Sequence, residues 1–295
     1  MKDFMKTAIF AIFVVACSNE KEINNPVNNN AMVPVRVHVD GFNVAQEDFP
    51  LTRAAQNVAN YNGVNAVTLA FYNGSDEVYK VTQLKADNSN YTTFGNFSLS
   101  LPLGNFTMVV TAYQTKDSSP FVLTSPTEAA YTGDHSFDTF VKTQAVNITN
   151  TNAVDISTTL DRIVSCLNVI STDGKTAGVT NVRMTLSAGG KSFNPTTGLA
   201  TSNTGFANTV GNNVSVGETS SSISYLFLAT NEQTMNVTIE TLNADGAVLF
   251  SKTVNNVSFK RNRVTKLTGA MYTNQGVSGA FQVETGWLTE NDVEF

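Results

Sequence analysis

Val67-Thr68-Leu69-Ala70-Phe71-Tyr72-Asn73-Gly74-Ser75, with the return stretch Val78 to Val81, is the part of the chain that decides the fold. Val67, Leu69 and Phe71 fall on one side of an extended backbone, because successive side chains of a strand point to opposite faces. Asn73-Gly74 then supplies two residues that tolerate positive φ, as a tight hairpin turn requires. The stretch predicts a β-hairpin.

The same period of two recurs on both sides of this hairpin, and long runs of period 3.6 do not. Upstream, Val33, Val35, Val37 and Val39 alternate with Pro34, Arg36, His38 and Asp40, which predicts a half-buried strand. Downstream, Leu99 and Leu101 lead through Pro102-Leu103-Gly104-Asn105 into Phe106, Met108 and Val110, a second hairpin. Between Thr115 and Asn152 the pattern loosens, with two short strand-like pieces at Phe137 to Thr143 and Ala145 to Ile148. Ile163 to Ile170 is nearly all apolar, as a central strand would be. Val182, Met184 and Leu186, then Met235, Val237 and Ile239, alternate again, and Asn243-Ala244-Asp245-Gly246 turns the second set into Ala247 to Val254. Many short strands divided by Gly, Pro, Asn and Ser turns predict an all-β chain of two tandem antiparallel β-sandwiches, residues 33–155 and 156–295.

The first residues read as an export signal. Lys2 and Lys6 precede an apolar run from Ala8 to Ala16 that is too short to span a bilayer, and the run ends in Val14-Val15-Ala16-Cys17. Small Ala16 suits a lipoprotein signal peptidase, and the Cys17 thiol is the nucleophile that takes the lipid. Residues 1–16 are therefore expected to be a lipoprotein signal peptide. Residues 17–32, rich in Asn and poor in core formers, are expected to be the acylated cysteine and a flexible tether. The other cysteine, Cys166, lies in the apolar run Ile163-Val164-Ser165-Cys166-Leu167 and reads as a buried small hydrophobe.

Composition narrows function by exclusion. Only 14% of residues are charged and the net charge is −6, so there is no basic stripe for nucleic acid. Catalysis needs positioned nucleophiles, bases or metals, and the chain has two histidines and no metal-ligand spacing of the Cys or His kind. Asp134-His135-Ser136-Phe137-Asp138 holds an Asp, His and Ser close together, a grouping of the sort that turn-rich loops generate, and Gly189-Gly190-Lys191-Ser192 lacks the spacing of a phosphate loop. We therefore expect no enzyme, cofactor or metal.

Several segments, in order, resemble the fimbrillins, the lipoprotein-derived subunits of type V pili. They are Leu51-Thr52-Arg53-Ala54-Ala55 with the strand from Val67, Leu99 to Phe106, Leu160-Asp161-Arg162, Phe259 to Gly269, and the C-terminal pattern Phe281, Val283, Trp287, Val293 and Phe295. The resemblance covers nearly the whole chain. It implies transthyretin-like sandwiches and an outer-membrane lipoprotein precursor that becomes part of a cell-surface fimbrium serving adhesion. It also implies cleavage after Arg53, leaving Ala54 as the new N-terminus, by a trypsin-like maturation protease. The strand bearing Val33, Val35, Val37 and Val39 would then leave, and an extended segment of another pilus subunit would fill its groove. The donor would be the tail 279–295, with Phe281, Val283, Trp287, Leu288, Val293 and Phe295 as apolar anchors. Two plainer readings stay open: Val33 to Val39 as a permanent edge strand, and the tail as the last strand of the second sandwich. A tip or anchor subunit of the same pilus, and a glycan-binding surface lipoprotein, are the competing functions. The second would want exposed aromatic platforms, and the chain has one tryptophan.

Overall fold

A computed structural model describes residues 31–43, 57–273 and 282–286. Its strands are β1 (Met32–Asn43), β2 (Ala66–Asn73), β3 (Asp76–Leu84), β4 (Asn96–Pro102), β5 (Gly104–Tyr113), β6 (Phe121–Ser125), β7 (Glu128–Tyr131), β8 (Thr139–Ile148) and β9 (Val154–Arg162). They continue as β10 (Ser165–Ser171), β11 (Asn181–Leu186), β12 (Ser192–Asn194), β13 (Leu199–Ala200), β14 (Phe206–Gly211), β15 (Ser221–Leu226), β16 (Glu232–Leu242), β17 (Val248–Lys260), β18 (Val264–Gly269) and β19 (Gln282–Gly286). A 3₁₀ turn at Asn88–Asn90 is the one helical element among the described residues. The chain is all-β.

The N-terminal sheet runs β3-β2-β5-β8-β9-β1-β4. The β2–β3 hairpin forms where Asn73-Gly74 predicted it, with Gly74 at φ +62°. The joint between β8 and β9 is short, with Phe140 opposite Arg162 and Val141 opposite Asp161. That joint lets the strip fold on itself, so that Val33, Val35, Val37, Ile156 and Leu160 share one core with Leu69, Phe71, Met108 and Phe140. The C-terminal half has two four-stranded sheets, β15-β10-β18-β19 and β14-β11-β16-β17, around a second core that includes Leu167, Val182, Ile239, Phe259 and Leu267. The nearly all-apolar stretch at 163–170 contributes β10, which is paired along both edges by β15 and β18 and buried on both faces.

Residues 96–113 do not form the hairpin expected there: β4 pairs with β1 while β5 pairs with β2 and β8, so the turn at 102–104 carries the chain from one side of the core to the other. Three further local differences from the sequence reading have physical causes. The pieces at Phe137 to Thr143 and Ala145 to Ile148 are one strand, β8, whose middle residues Lys142, Thr143 and Gln144 are half-buried and so break the apolar alternation without breaking the ladder. Residues 154–162 run in the N-terminal sheet beside β1 and β8, so sheet membership changes between Arg162 and Ser165, not at residue 155. Within the loosely patterned region, β6 and β7 join β12 and β13 in a small sheet built from both halves. It covers a third core, where Tyr72, Val109 and Tyr131 meet Phe193 and Phe227. The rings of Phe193 and Phe227 lie 4.5 Å apart at its centre. The two halves are thus joined by shared strands and a shared apolar core.

Candidate functional site: the slot held by the first strand

β1 lies inside the sheet, not at its edge. It pairs antiparallel with β4 from Met32 opposite Pro102 to His38 opposite Asn96, and parallel with β9 from Val35 beside Val154 to Asn43 beside Asp161. The permanent-edge-strand reading is thereby corrected: both flanks of β1 carry ladders. Val33, Val35 and Val37 are 0% exposed and Val39 is 5% exposed, while Pro34, Arg36, His38 and Asp40 face outward. The alternation seen in the sequence is the alternation of burial.

The strand extends further than its valines. Gly41 to Thr52 reads in sequence as a polar loop, yet Gly41-Phe42-Asn43 stays in the ladder, and Phe42 is 1% exposed. The cause is a bulge between Val39 and Gly41, where the β9 register advances by one residue while β1 advances by two. Without the bulge the inward residues would continue as 41 and 43; the extra residue reverses the phase and turns Phe42 inward.

Phe42 enters an aromatic and charged cluster at the junction of the two halves. Its ring stacks on Phe140 at 4.0 Å and meets Tyr61 edge-on at 5.4 Å. Beyond those rings sits a buried ion pair. Arg162 donates from Nε to Asp138 Oδ1 at 2.9 Å and from its second guanidinium nitrogen to Asp138 Oδ2 at 2.9 Å and to the Tyr61 hydroxyl at 2.7 Å. The Tyr61 hydroxyl in turn donates to Asp138 Oδ2 at 2.5 Å. The side chains of Arg162 and Asp138 are 2% and 4% exposed, and the guanidinium carbon lies 4.8 Å from the centre of the Phe140 ring. Burial would lower the Arg162 pKa, but Asp138 holds it above its ordinary value. Burial, then Asp138, raises the Tyr61 hydroxyl well above the usual phenol range. Each charge is compensated within the cluster, which is what makes so dry a pair tolerable.

The segment after the 44–56 stretch closes the same end of β1. Val58 is buried against Gly95, whose φ of +89° and close approach leave no room for a side chain. Val64 is buried and Tyr61 packs against the same core. The chain downstream of Arg53 is therefore fixed from Val58 onward by its own core contacts.

At the other end of the chain, Asp173 grips the root of the tail. Its carboxylate accepts from the backbone N–H groups of Met271, Tyr272 and Thr273 at 2.7–2.9 Å and from the Thr273 hydroxyl at 2.9 Å. Burial would raise its pKa, but these four donors hold it below the ordinary carboxylate range. Gln282–Gly286, which includes Val283, forms β19, an edge strand antiparallel to β18. Cys17, Arg53, Ala54, Phe281, Trp287, Leu288, Val293 and Phe295 lie outside the described residues.

The remaining sequence candidates fall elsewhere. In the Asp134 to Asp138 stretch, His135 Nε2 contacts the Thr209 carbonyl, Ser136 donates to the Tyr225 carbonyl, and Asp138 serves Arg162, so the three side chains face three different partners. Cys166 is buried, and burial pushes its thiol pKa up. Sequence reasoning missed Phe42, Tyr61 and Asp138. One signal pointed there: Ile156, Thr158, Leu160 and Arg162 share the inward face of β9, and a charge on an inward face requires a buried partner.

A model of DUF6562, a family of unknown function, matches residues 28–293. The chain belongs to this family. No curated protein matches it in sequence. Among solved structures, this DUF6562 chain is similar to a candidate adhesin from Bacteroides ovatus, with a TM-score of 0.51 and 10% identity over 88% of this chain and 96% of the other. It is also similar to the fimbrial anchor protein Mfa2 from Porphyromonas gingivalis, with a TM-score of 0.50 and 11% identity over 87% of this chain and 98% of the other. A second candidate adhesin from Bacteroides ovatus matches with a TM-score of 0.50 and 13% identity over 82% of this chain and 88% of the other. At such identities the likeness is one of fold.

Proposed function

We propose that this DUF6562 chain is a cell-surface pilus subunit of two tandem transthyretin-like sandwiches, exported as a lipoprotein through Cys17 and serving adhesion. A trypsin-like protease cuts after Arg53, and residues 17–53 leave with β1 and the lipid. An extended segment of another subunit then takes the slot between β4 and β9. The observation that carries this reading is the place of β1. It is an interior strand with a ladder on each flank and every inward side chain buried, joined to the rest of the chain through the segment that carries Arg53. Removing it leaves two facing rows of backbone donors and acceptors and a line of apolar pockets, the kind of site that accepts an added strand. The likeness in fold to a fimbrial anchor protein supports the same assignment.

The test is to treat the purified precursor with a trypsin-like protease. The reading requires a new N-terminus at Ala54 together with ladder-forming oligomers. A chain that resists cutting at Arg53 sinks it.

A second reading is favoured by β19. Because residues 282–286 pair with β18 of their own chain, the tail has a seat at home, as suits an anchor or tip subunit that does not donate it. Under this reading the chain caps or tethers the fibre; cutting at Arg53 would leave it monomeric with its tail intact.

A further inference from the structure

The slot is not uniform along its length. Four inward positions are filled by valine, and the fifth, across the bulge, is filled by a ring that lies against two other rings, both of which pack against the Arg162 guanidinium. An aliphatic pocket accepts any side chain of suitable volume. The Phe42 pocket asks for more, since Phe140 presents a face at 4.0 Å and Tyr61 an edge at 5.4 Å, and both rings lie close to the Arg162 guanidinium. A flat ring satisfies both contacts at once. A branched aliphatic chain of similar volume cannot lie flat on Phe140 and forfeits the stacking and edge contacts.

We infer that the end of the slot is an aromatic-selective subsite. A strand that takes the place of β1 must present four alternating aliphatic residues and then, three positions beyond the last and across a bulge, an aromatic ring. This deepens the proposed function and rests on its reading of β1 as a replaceable strand. The occupant is an extended protein segment, and the selectivity is read from β1 itself, which has Val39, Asp40, Gly41 and Phe42 in that order.

A full-length chain carrying an inserted site for a sequence-specific protease between residues 47 and 50 is folded and then cut. Fluorescent synthetic peptides with the sequence of residues 31–43 are added in excess, either unchanged or with Phe42→Leu, Phe42→Ala or Val35→Leu. Stacking and edge contacts with two rings predict entry of the Phe42→Leu peptide about tenfold weaker than the unchanged one, and Phe42→Ala weaker still. Val35→Leu serves as a control for an ordinary aliphatic pocket. Phe42→Leu within threefold of the unchanged peptide overturns the inference while leaving strand replacement intact. Failure of the unchanged peptide to enter sinks strand replacement instead, and a second measurement then tests the subsite alone. In the uncut chain, Phe42→Leu is expected to raise amide hydrogen exchange at residues 139–141 and 162–164 at least tenfold relative to Val35→Leu. Equal protection in the two variants overturns the subsite.

Discussion

Val35 and Arg36 are neighbours on β1 that face opposite ways, and replacing each by alanine separates burial from mere membership of the strand. The Val35 side chain is 0% exposed in the N-terminal core. Val35→Ala removes two carbons at about 0.8 kcal/mol each and leaves a space the flanking strands cannot fully close, so the cost is about 2–3 kcal/mol. Arg36 faces solvent, and its ion pair with Asp155 at 3.4 Å has side chains 58% and 63% exposed. Arg36→Ala is therefore expected to cost about 0–0.5 kcal/mol. Chemical denaturation of the two uncut variants reads the difference directly, provided the denaturant slope stays constant. The same pair can be read after the chain is nicked behind β1. There, 2–3 kcal/mol lost from the bound strand becomes release about 30- to 150-fold faster for Val35→Ala, and no measurable change for Arg36→Ala. Equal effects of the two substitutions in the uncut chain would refute the placement of β1 inside the sheet. Equal release rates after nicking would refute the idea that its valines hold it in the slot.

Other expectations follow from single contacts. Asp138→Ala strips the buried Arg162 of its carboxylate and is expected to lower stability by about 3–5 kcal/mol, read by denaturant unfolding; a loss under 1 kcal/mol would show that water reaches the pair. Phe227→Ala, in the core shared by the two halves, is expected to cost about 3–5 kcal/mol and to split a single calorimetric transition into two; one sharp transition would argue against that core as the joint. Asp173 has a pKa depressed on folding, so its contribution is present above the unfolded carboxylate pKa and is lost as pH falls through the folded value. Asp173→Asn should accordingly flatten part of the loss of stability below about pH 4, and an unchanged acid limb would contradict the grip on the tail root. Arg53→Ala is expected to leave the N-terminus intact after protease treatment, checked by sequencing the product.

What was legible in the sequence was whatever depends on period two. The four valines of β1 and the strands of the Asn-Gly hairpin follow from local alternation, which is the direct image of which face is buried, and the near-continuous apolar run of β10 marks a strand buried on both faces. Two kinds of feature were not legible. One is a change of phase: the bulge after Val39 looks in sequence like the end of a strand, because an inward residue arrives one place late, so Phe42 reads as loop. The other is a partnership across distance. Asp138 and Arg162 lie 24 residues apart, and Tyr61 lies 101 from Arg162, so no spacing rule links them. The small sheet of β6, β7, β12 and β13 was hidden for both reasons, since short strands carry few alternations and β7 finds β12 more than 60 residues later.

Phe42 and Tyr61 stand on opposite sides of Arg53 in the chain and against one another in the fold. On the proposed maturation route this has a consequence for where cleavage is felt. Cys17, the four valines and Phe42 would all depart together, while Val58, Tyr61 and Val64 would remain, held by their own burial or packing. The contact between Phe42 and Tyr61, whose hydroxyl donates to Asp138, would then be divided between the departing and the remaining parts. In so dry a place the attraction between the two charges is strong, and water admitted beside them would screen it, so the pair would tie its two strands together less firmly. Loss of β1 would open a groove in the N-terminal core and, at its far end, expose the Phe140 and Tyr61 rings that pack against Arg162 beside the change from β9 to β10. The joint between the halves would thus be weakest between departure of one strand and arrival of the next, and an incoming segment with a correctly spaced ring would close the slot and the joint in the same step.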